Sequence, residues 1–333
     1  ILLWCGVVLG FWLPWLLKNL LLTGNPAYPF FLAGVYWDEW RSWWYGRPGT
    51  GLAYTSVWKL FTAPWDATVW GVEGAAGYSA TIGPLFLALL PLPIFVWRRL
   101  SPARSRWLGA ALAFCGVLYG FWLWGVARTA LLHQTRLLFP AFGLLALIEG
   151  AAVDDVGSLP RCPLDLRWLV RAVVMLVLVL ALVGAFLSTV QERPLGVLLG
   201  FESRRDFLLR RLGSYYAATE YINRQLPSGA TVLFLWEPRS YHCQVDCLPD
   251  ALLDRWLHTT YVYGHDAEVI AGQWRQEGVT HVLLYRLGYE VVRRAGFDPL
   301  AEADAATLDH MIAMELELVH RIGDAYELYT LHP

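Results

Sequence analysis

The run LVRAVVMLVLVLALVGAFLSTV (residues 169–190) decides the fold class, because one arginine is its only charged side chain. A helix needs about 20 consecutive apolar residues to cross the hydrocarbon core of a bilayer. Outward from this run, further apolar runs occupy residues 1–22, 79–97, 107–126 and 137–153. Five such helices in a soluble protein would need an implausibly large dry core. We therefore expect a mainly α fold, with a polytopic transmembrane bundle of about five spans within residues 1–195.

The composition agrees with a membrane protein. Only 16% of the 333 residues are charged, against about 25% in soluble domains. The chain carries 18 Trp and 16 Tyr, which are enriched where a protein crosses the membrane–water interface. The net charge of −2 gives no reason to expect a nucleic acid partner. Because the chain begins at Ile1 inside an apolar run, we expect it to be a fragment that lacks an N-terminal part.

The short loops predict the orientation. Four arginines crowd the loop between the second and third runs: Arg98, Arg99, Arg104 and Arg106. The loop between the fourth and fifth runs adds Arg161 and Arg167. Positive charge in short loops marks the cytoplasmic side. Segments 23–78, 127–136 and 191–333 are then predicted to lie outside, although loop 23–78 also carries a few basic residues.

Residues 200–333 have the pattern of a small extracytoplasmic α/β domain. Amphipathic helices are predicted within 214–230, where Pro227 and Gly229 stop the helix, and at 266–278 and 304–317, and buried strands at 231–237 and 279–286. A helix between two buried strands indicates a parallel crossover. The last residues, LELVHRIGDAYELYTL (316–331), alternate around Gly323-Asp324 and predict a hairpin.

The cysteines divide between these regions. Cys5 and Cys115 fall inside apolar runs and are predicted to be packing residues, and Cys162 falls in a cytoplasmic loop. Cys243 and Cys247 belong to the outer domain, where a disulfide could persist. Two unpaired thiols remain an alternative. A metal site with His242 and His258 is conceivable, but Cys-x3-Cys spacing alone is weak evidence for one.

Loop 23–78, an outer interfacial loop in this orientation, is the most unusual segment. VYWDEWRSWWYG (35–46) predicts a helix lying in the interface, with rings toward lipid and charges toward water. An aromatic belt that anchors the protein explains most of these tryptophans. The alternative is one wall of a cleft for a lipid-linked substrate. Asp38 and Glu39 could act as a general base, but a carboxylate pair in an aromatic loop is not specific enough to assign that role.

ARTALLHQTRLLFP (127–140) is the second candidate segment. Its polar members are Arg128, His133, Gln134 and Arg136. An arginine at the mouth of a span is costly unless it snorkels or is paired, and snorkelling is one interpretation. The other is phosphate binding, for which the guanidinium has suitable forked donors. Lys18, at the outer end of the first span, could join this cluster.

Three stretches together resemble bacterial membrane glycosyltransferases of the GT-C superfamily. They are LKNLLLTGNPAYPFF (17–31), IGPLFLALLPLPIF (82–95) and QTRLLFPAFGLLAL (134–147). The chain is most similar to the protein mannosyltransferase and aminoarabinose-transferase-like group (family 39 and 83 type), as its C-terminal part. The third stretch is similar to the Gln-x-Arg-(Tyr)-Leu-Leu-Pro pattern of that group, with Leu137 at the usual aromatic position.

The resemblance implies transfer of a sugar from a polyprenyl-phosphate donor to a protein, lipid or glycan acceptor, on the outer face of a bacterial cell membrane. It implies that the general base is an Asp in an outer loop preceding Ile1. It implies that Arg136 contacts the donor phosphate, with Gln134 and His133 close by. It predicts no covalently bound cofactor and leaves a divalent metal open.

Two other classes of function stay open. A transporter or flippase component for lipid-linked saccharides predicts charged residues lining a path through the spans. A non-enzymatic membrane scaffold predicts that Arg136 is dispensable. GxxxxGKS, HExxH and GxSxG patterns do not occur in the sequence, so P-loop, zincin and α/β-hydrolase chemistry have no support.

Overall fold

The computed structural model describes residues 2–28, 34, 35, 37–46, 49–69, 82–156, 165–295 and 301–333. The chain is mostly helical, at 68%, with a small C-terminal sheet. It divides into two compact units, Ile1–Thr189 and Val190–Pro333. The division lies close to the boundary expected between residues 195 and 200.

Among its described residues, unit 1 consists mainly of helices, joined by turns and one isolated bridge between Gly34 and Trp37. Its first four helices are α1 (Leu2–Thr23), α2 (Glu39–Gly46), α3 (Leu52–Thr55) and α4 (Trp58–Val69). The next four are α5 (Pro84–Leu89), α6 (Leu92–Val96), α7 (Pro102–Arg128) and α8 (Phe139–Asp155). Helix α9 (Leu166–Glu192) begins in unit 1 and ends in the first residues of unit 2, and 3-10 turns occupy Trp97–Arg99, Ala130–Leu132 and Thr135–Leu138.

Three helical segments among the described residues are long and apolar enough to cross a membrane. They are Pro102–Arg128, Thr135–Asp155 and Leu166–Glu192. The predicted count of five is not confirmed. The described part of the predicted 79–97 span is divided into α5 and α6, because Pro91 and Pro93 lack the N–H that a continuous helix needs. Helix α1 is apolar and 22 residues long, with Lys18 as its only charged residue.

The exit from α1 is an ordered turn. Gly24 ends the helix with φ +73°, and its N–H bonds to the carbonyl of Leu20 at 3.0 Å. The buried Asn25 side chain accepts from the N–H of Ala27 at 2.9 Å, which is an Asx turn. Thr23 Oγ1 donates to the carbonyl of Asn19 at 2.8 Å. The polar residues of TGNP therefore bond one another where the chain leaves an apolar helix.

The core of unit 1 has two parts. In one, Val96 of α6 is fully buried, and Leu108 of α7 packs with Ile148 of α8. In the other, Ala63 and Ala67 of α4 pack against Trp122 of α7. Small residues on α4 let this helix lie close to the long helix α7.

Unit 2 has a five-stranded sheet in the order β2-β1-β3-β5-β4. Its strands are β1 (Thr231–Leu235), β2 (Asp246–Leu248), β3 (His281–Tyr285), β4 (Leu316–Ile322) and β5 (Tyr326–Leu331). Its helices are α10 (Pro194–Leu198), α11 (Arg204–Leu212), α12 (Ser214–Gln225), α13 (Arg255–Tyr263), α14 (Ala267–Gln276), α15 (Arg286–Ala295) and α16 (Glu302–Met314). Strands β1 and β3 pair in parallel, and β4 and β5 form an antiparallel hairpin turning at Gly323-Asp324. The predicted crossover and hairpin are therefore confirmed.

Both faces of the sheet are covered. Along β1, Val232 and Phe234 face the cluster that contains α12, and Leu233 and Leu235 face the cluster that contains α14 and α16. This alternation follows from the two-residue period of a strand. Because both faces are buried, β1 reads as a continuous apolar run.

Cys243 and Cys247 form a disulfide in the loop and short strand that follow β1. Their sulfurs are bonded to each other and are not available as thiolate metal ligands. Cys115 is a buried free thiol of α7. Cys162 and the side chain of Cys5 lie outside the described residues.

Candidate functional site

The segment between α7 and α8 is a short connection between the end of one helix and the start of the next. Arg128 ends α7, and two 3-10 turns, Ala130–Leu132 and Thr135–Leu138, lead into α8. The indole N–H of the buried Trp122 donates to the carbonyl of Gln134 at 3.1 Å. This bond fixes the backbone just before Arg136.

Arg136 and Gln134 meet as the sequence predicts. Arg136 Nε donates to Gln134 Oε1 at 2.7 Å, and the arginine side chain is exposed. Among the described residues, no carboxylate forms an ion pair with Arg136. The amide oxygen of Gln134 orients the guanidinium without neutralising it, which leaves a full positive charge at the surface.

Arg128 and Lys18 lie differently. The guanidinium of Arg128 is 5.1 Å from the centre of the Trp124 ring, and Lys18 Nζ is 4.0 Å from the centre of the Trp15 ring. Both are cation–π contacts within their own helices. Within the part of the chain that the structure describes, no hydrogen bond or ion pair joins either residue to Arg136. Their geometry is that of interfacial cations over aromatic rings.

His133 connects this segment to α4. The ring is half-buried, and burial lowers its pKa. The nearby charge of Lys59 lowers the pKa further, and the charge of Asp66 opposes that effect. Asp66 Oδ2 accepts from Thr62 Oγ1 at 2.6 Å. The structure therefore adds Lys59 and Asp66 to the predicted cluster.

Sequence reasoning missed these two residues. Lys59 and Asp66 are the only charged residues of the apolar helix WKLFTAPWDATV (58–69). Their spacing of seven puts them two turns apart on one face. That pattern is a usable signal, but only the fold brings this face to His133.

The loop before α3 is bound tightly to the end of α7. The N–H groups of Gly49 and Gly51 both donate to the carbonyl of Arg128, at 3.1 and 3.2 Å. Thr50 Oγ1 accepts from the N–H of Ala130 at 3.2 Å. A Cβ on Gly51 would lie 2.5 Å from the backbone nitrogen of Thr129, so only glycine allows this approach.

An apolar cavity of about 280 Å³ lies between α4, α5, α7 and α8. Helix α4 contributes Pro64 and Thr68, α7 contributes Tyr119, and α8 contributes Phe142. Leu138 also lines it and belongs to the 3-10 turn that carries Arg136. A cation at the surface and an apolar slot therefore share one turn of the chain.

The aromatic loop is anchored by Asp38. Asp38 Oδ1 accepts from the N–H of Arg41 at 2.9 Å, at the start of α2. This is the bond of a helix N-cap. Trp40 and Trp44 stack with ring centres 5.0 Å apart, and Trp43 remains exposed. Part of the predicted aromatic face is therefore packed within the protein.

Glu149 is a buried carboxylate in α8. It is 3% exposed, and its Oε1 has no hydrogen-bond partner among the described residues. It belongs to the segment Thr135–Asp155, which is apolar and long enough to span a membrane. The sequence places Glu149 near the end of a short run, and the structure places it inside the helix packing.

No family model matches the chain, and no curated protein or solved structure matches it either.

Proposed function

We propose that the protein is an integral-membrane glycosyltransferase of the GT-C type that uses a polyprenyl-phosphate sugar as donor on the outer face of the membrane. One observation carries the proposal. The exposed guanidinium of Arg136 lies on the same 3-10 turn as Leu138, which lines the apolar cavity. A lipid phosphate needs a cation at the interface and an apolar slot directly below it.

The chemistry proposed for Arg136 is electrostatic. An acceptor hydroxyl attacks the anomeric carbon while the bond to the phosphate oxygen breaks, and the polyprenyl phosphate leaves with an added negative charge. A guanidinium bonded to that phosphate stabilises the charge as it develops. The resemblance implies that an aspartate in an outer loop is the base that takes the hydroxyl proton.

The rim residues have roles that follow from their contacts. Gln134 orients Arg136, since it accepts from Nε. Because its pKa is lowered, His133 is neutral at neutral pH and can donate or accept a hydrogen bond at the donor sugar. Arg128 and Lys18, over their tryptophans, contribute positive potential that attracts the lipid phosphate.

Other observations support a multi-pass protein with unit 2 outside a bacterial cell membrane. The disulfide of unit 2 persists in an oxidising compartment. We propose α1 and the α5–α6 segment as the remaining spans of the predicted five, because both are apolar.

The test is sugar transfer in membranes that contain the full-length protein, with a radiolabelled polyprenyl-phosphate sugar. We expect Arg136→Ala to lower transfer about 10²-fold, as loss of one donor to a developing charge does. Arg136→Lys should restore transfer only in part, because lysine lacks the fork. Arg106→Ala is the matched control: Arg106 donates to the carbonyl of Pro102 at the other end of α7, and transfer should be unchanged.

Unchanged transfer by Arg136→Ala at matched expression would reduce Arg136 to a snorkelling anchor. It would also remove the observation on which the proposal rests. Absence of transfer by the unaltered protein across several donors would favour a transporter or a scaffold.

Glu149 favours a lipid-linked saccharide transporter or flippase as the second candidate. A carboxylate inside a span is commonly part of an ion or substrate path. In that case Glu149→Gln should abolish movement of the lipid-linked sugar across vesicles, and Arg136→Ala should have a smaller effect. If the protein is a transferase, Glu149→Gln should leave transfer intact.

A further inference from the structure

The chain forms a compact turn immediately after α9, in unit 2. Arg193 adopts a left-handed backbone with φ +48° and separates α9 from the five-residue helix α10. Gly200 ends α10 with φ +77°. The N–H of Gly200 bonds to the carbonyl of Val197 at 3.2 Å, and the N–H of Phe201 bonds to the carbonyl of Gly196 at 2.8 Å. These two bonds define a Schellman motif, so the turn has one specified conformation.

The turn is also fixed to its neighbours. Arg210 binds the carboxylate of Glu202 through Nε and a terminal nitrogen, at 3.0 and 2.8 Å. It also donates to the carbonyl of Glu192 at 3.1 Å, at the end of α9. Arg211 forms an ion pair with Glu192. Both ends of the turn are therefore held by arginines of α11.

The turn exposes four large apolar side chains. Leu195 is 61% exposed, Leu198 78%, Leu199 64% and Phe201 84%. In a Schellman motif the residue at the position of Phe201 usually packs on the last turn of its own helix. Here the facing position is Gly196, which has no side chain, and Phe201 is left outside. The hydrogen-bonded turn therefore exposes an apolar surface, which is unfavourable in water.

The position of the turn indicates what covers this surface. Helix α9 is 27 residues long, is one of the candidate membrane spans, and ends at Glu192. The turn begins one residue later, and so lies at the bilayer surface if α9 spans the membrane. Arg193 and Arg204 flank the turn and are in no ion pair among the described residues. Apolar side chains flanked by arginines match the chemistry of a phospholipid interface.

We infer that residues 193–201, here called the apolar tip, insert into the boundary between headgroups and acyl chains. Leu195, Leu198, Leu199 and Phe201 enter the apolar layer. Arg193 and Arg204 contact lipid phosphates. The apolar tip then gives unit 2 a lipid-binding site in addition to its covalent attachment to α9. This inference does not depend on the proposed transferase activity.

The first test places a fluorophore on the apolar tip. The full-length protein, with Cys5, Cys115 and Cys162 replaced by alanine and the disulfide kept, is reconstituted in phosphatidylcholine–phosphatidylglycerol vesicles. An NBD label is attached to Leu198→Cys, to Phe201→Cys, or to Val269→Cys. Val269 is the matched control, because it is an exposed apolar residue of α14. Quenching is measured with acyl-brominated phosphatidylcholine and with aqueous iodide.

We expect brominated lipid to quench both apolar-tip labels and iodide to leave them largely unaffected, with the reverse at Val269. Iodide quenching at Leu198 and Phe201 equal to that at Val269 would overturn the inference. Protection from both quenchers would overturn it as well, since another protein surface would then cover the apolar tip.

A second test needs no substitution. Vesicles that contain a phospholipid with a photoreactive diazirine on its acyl chain are irradiated with the unaltered protein. The protease that cleaves after glutamate releases peptide 193–202, because Glu192 and Glu202 bound the apolar tip. We expect lipid adducts on this peptide and none on the control peptide 269–277. Equal labelling of the two peptides, or no labelling of 193–202, would contradict the inference even if the fluorophores had drawn the apolar tip into lipid.

Discussion

At the scale of single residues, Asp250 is a buried carboxyl group that organises one end of the sheet in unit 2. It accepts from the N–H of Trp236 at 3.0 Å and from the N–H of Arg255 at 3.2 Å. Trp236 follows β1 and has φ +59°, a conformation that costs a non-glycine residue free energy. Burial raises the pKa of Asp250 to about 6, against the opposing effect of these two hydrogen bonds.

The raised pKa predicts a pH dependence of stability. The folded state holds the Asp250 proton at a higher pH than the unfolded state. The contribution of Asp250 to the free energy of unfolding therefore falls as pH rises from about 4 through 6. The contribution is on the order of 2 kcal/mol between pH 4 and 8. The measurement is the opening free energy of β1, by amide hydrogen exchange in the intact protein, for the unaltered chain and Asp250→Asn.

We expect the opening free energy of the unaltered protein minus that of Asp250→Asn to be smaller at pH 8 than at pH 4. The comparison removes the contributions of other carboxyls, because both proteins contain them. A difference that stays constant over this range, or grows with pH, would contradict the prediction.

The sequence predicts some members of these polar clusters and not others. The proximity of Gln134 to Arg136 was expected from the resemblance of QTRLLFP (134–140) to the family pattern. Asp66 was not assigned to this cluster because His133 lies far from it along the chain, and Asp250 was missed because Trp236 comes from the end of β1. Nothing in LPDALLD (248–254) shows that Asp250 is buried, since its burial comes from the end of β1 and the start of α13.

At the scale of elements, the docking of residues 49–51 on the end of α7 positions the candidate site. This contact fixes the start of α3, and Leu52 of α3 packs in the same cluster as Trp122 and Leu138. Trp122 in turn holds the carbonyl of Gln134. A change at the docking loop should therefore reach Arg136 through packed side chains.

Gly51→Ala tests this coupling. The added methyl group would collide with the backbone of Ala127 and Thr129, and neither can move without breaking the bonds from Gly49 and Gly51 to Arg128. We expect a loss of about 2 kcal/mol of stability, typical of an overpacked site. Limited proteolysis of the intact protein should show faster cleavage within residues 49–57.

The matched control is Gly120→Ala in the middle of α7, where a Cβ would meet no atom within 4 Å. That change should be neutral or stabilising by less than about 1 kcal/mol, because alanine suits a helix interior better than glycine. Equal proteolysis of the two variants would show that the close approach of Gly51 is not required.

Periodicity predicts elements where one pattern dominates, and fails where two compete. The buried strands β1 and β3 and the helices α12, α14 and α16 follow from apolar runs and 3.6-residue spacing. The run 79–97 is apolar enough for a span, but Pro91 and Pro93 prevent one continuous helix. Strand β2 was not predicted, because its three residues are too few for an alternating pattern to show.

At the scale of the whole molecule, composition predicts a membrane protein, which three helices long and apolar enough to span a membrane support, and the span count is unconfirmed. Mean apolarity depends on residue type alone, so a broken helix and a continuous one give the same signal. The prediction of which side each loop faces depends on basic residues, and some of these residues form ion pairs within the fold. Arg104, for example, forms an ion pair with Asp155 at 3.1 Å. A topology experiment therefore determines the orientation of the chain more directly than the loop charges do.

This experiment labels two positions, one near the start of the first candidate span and one after the last. Ala103 is exposed in the first turn of α7, and Ser228 is exposed in the turn before β1. Ala103 lies at the N-terminal end of the first candidate span, Pro102–Arg128, and Ser228 follows the third, Leu166–Glu192, with Thr135–Asp155 between those two spans. An odd number of crossings puts the two positions on opposite sides of the membrane. Arginines near Ala103 predict that it faces the cytoplasm, and the disulfide predicts that Ser228 faces the oxidising side.

The measurement uses a membrane-impermeant maleimide on intact cells, with Ala103→Cys or Ser228→Cys in the background in which alanine replaces Cys5, Cys115 and Cys162. We expect labelling of Ser228→Cys in intact cells and of Ala103→Cys only after permeabilisation. Labelling of both in intact cells would mean that one of the three segments does not cross, since two crossings return the chain to the same side. Labelling of Ala103→Cys alone in intact cells would show that the protein has the opposite orientation in the membrane. Arg136 would then lie on the cytoplasmic face, and the proposal of sugar transfer on the outer face would be withdrawn.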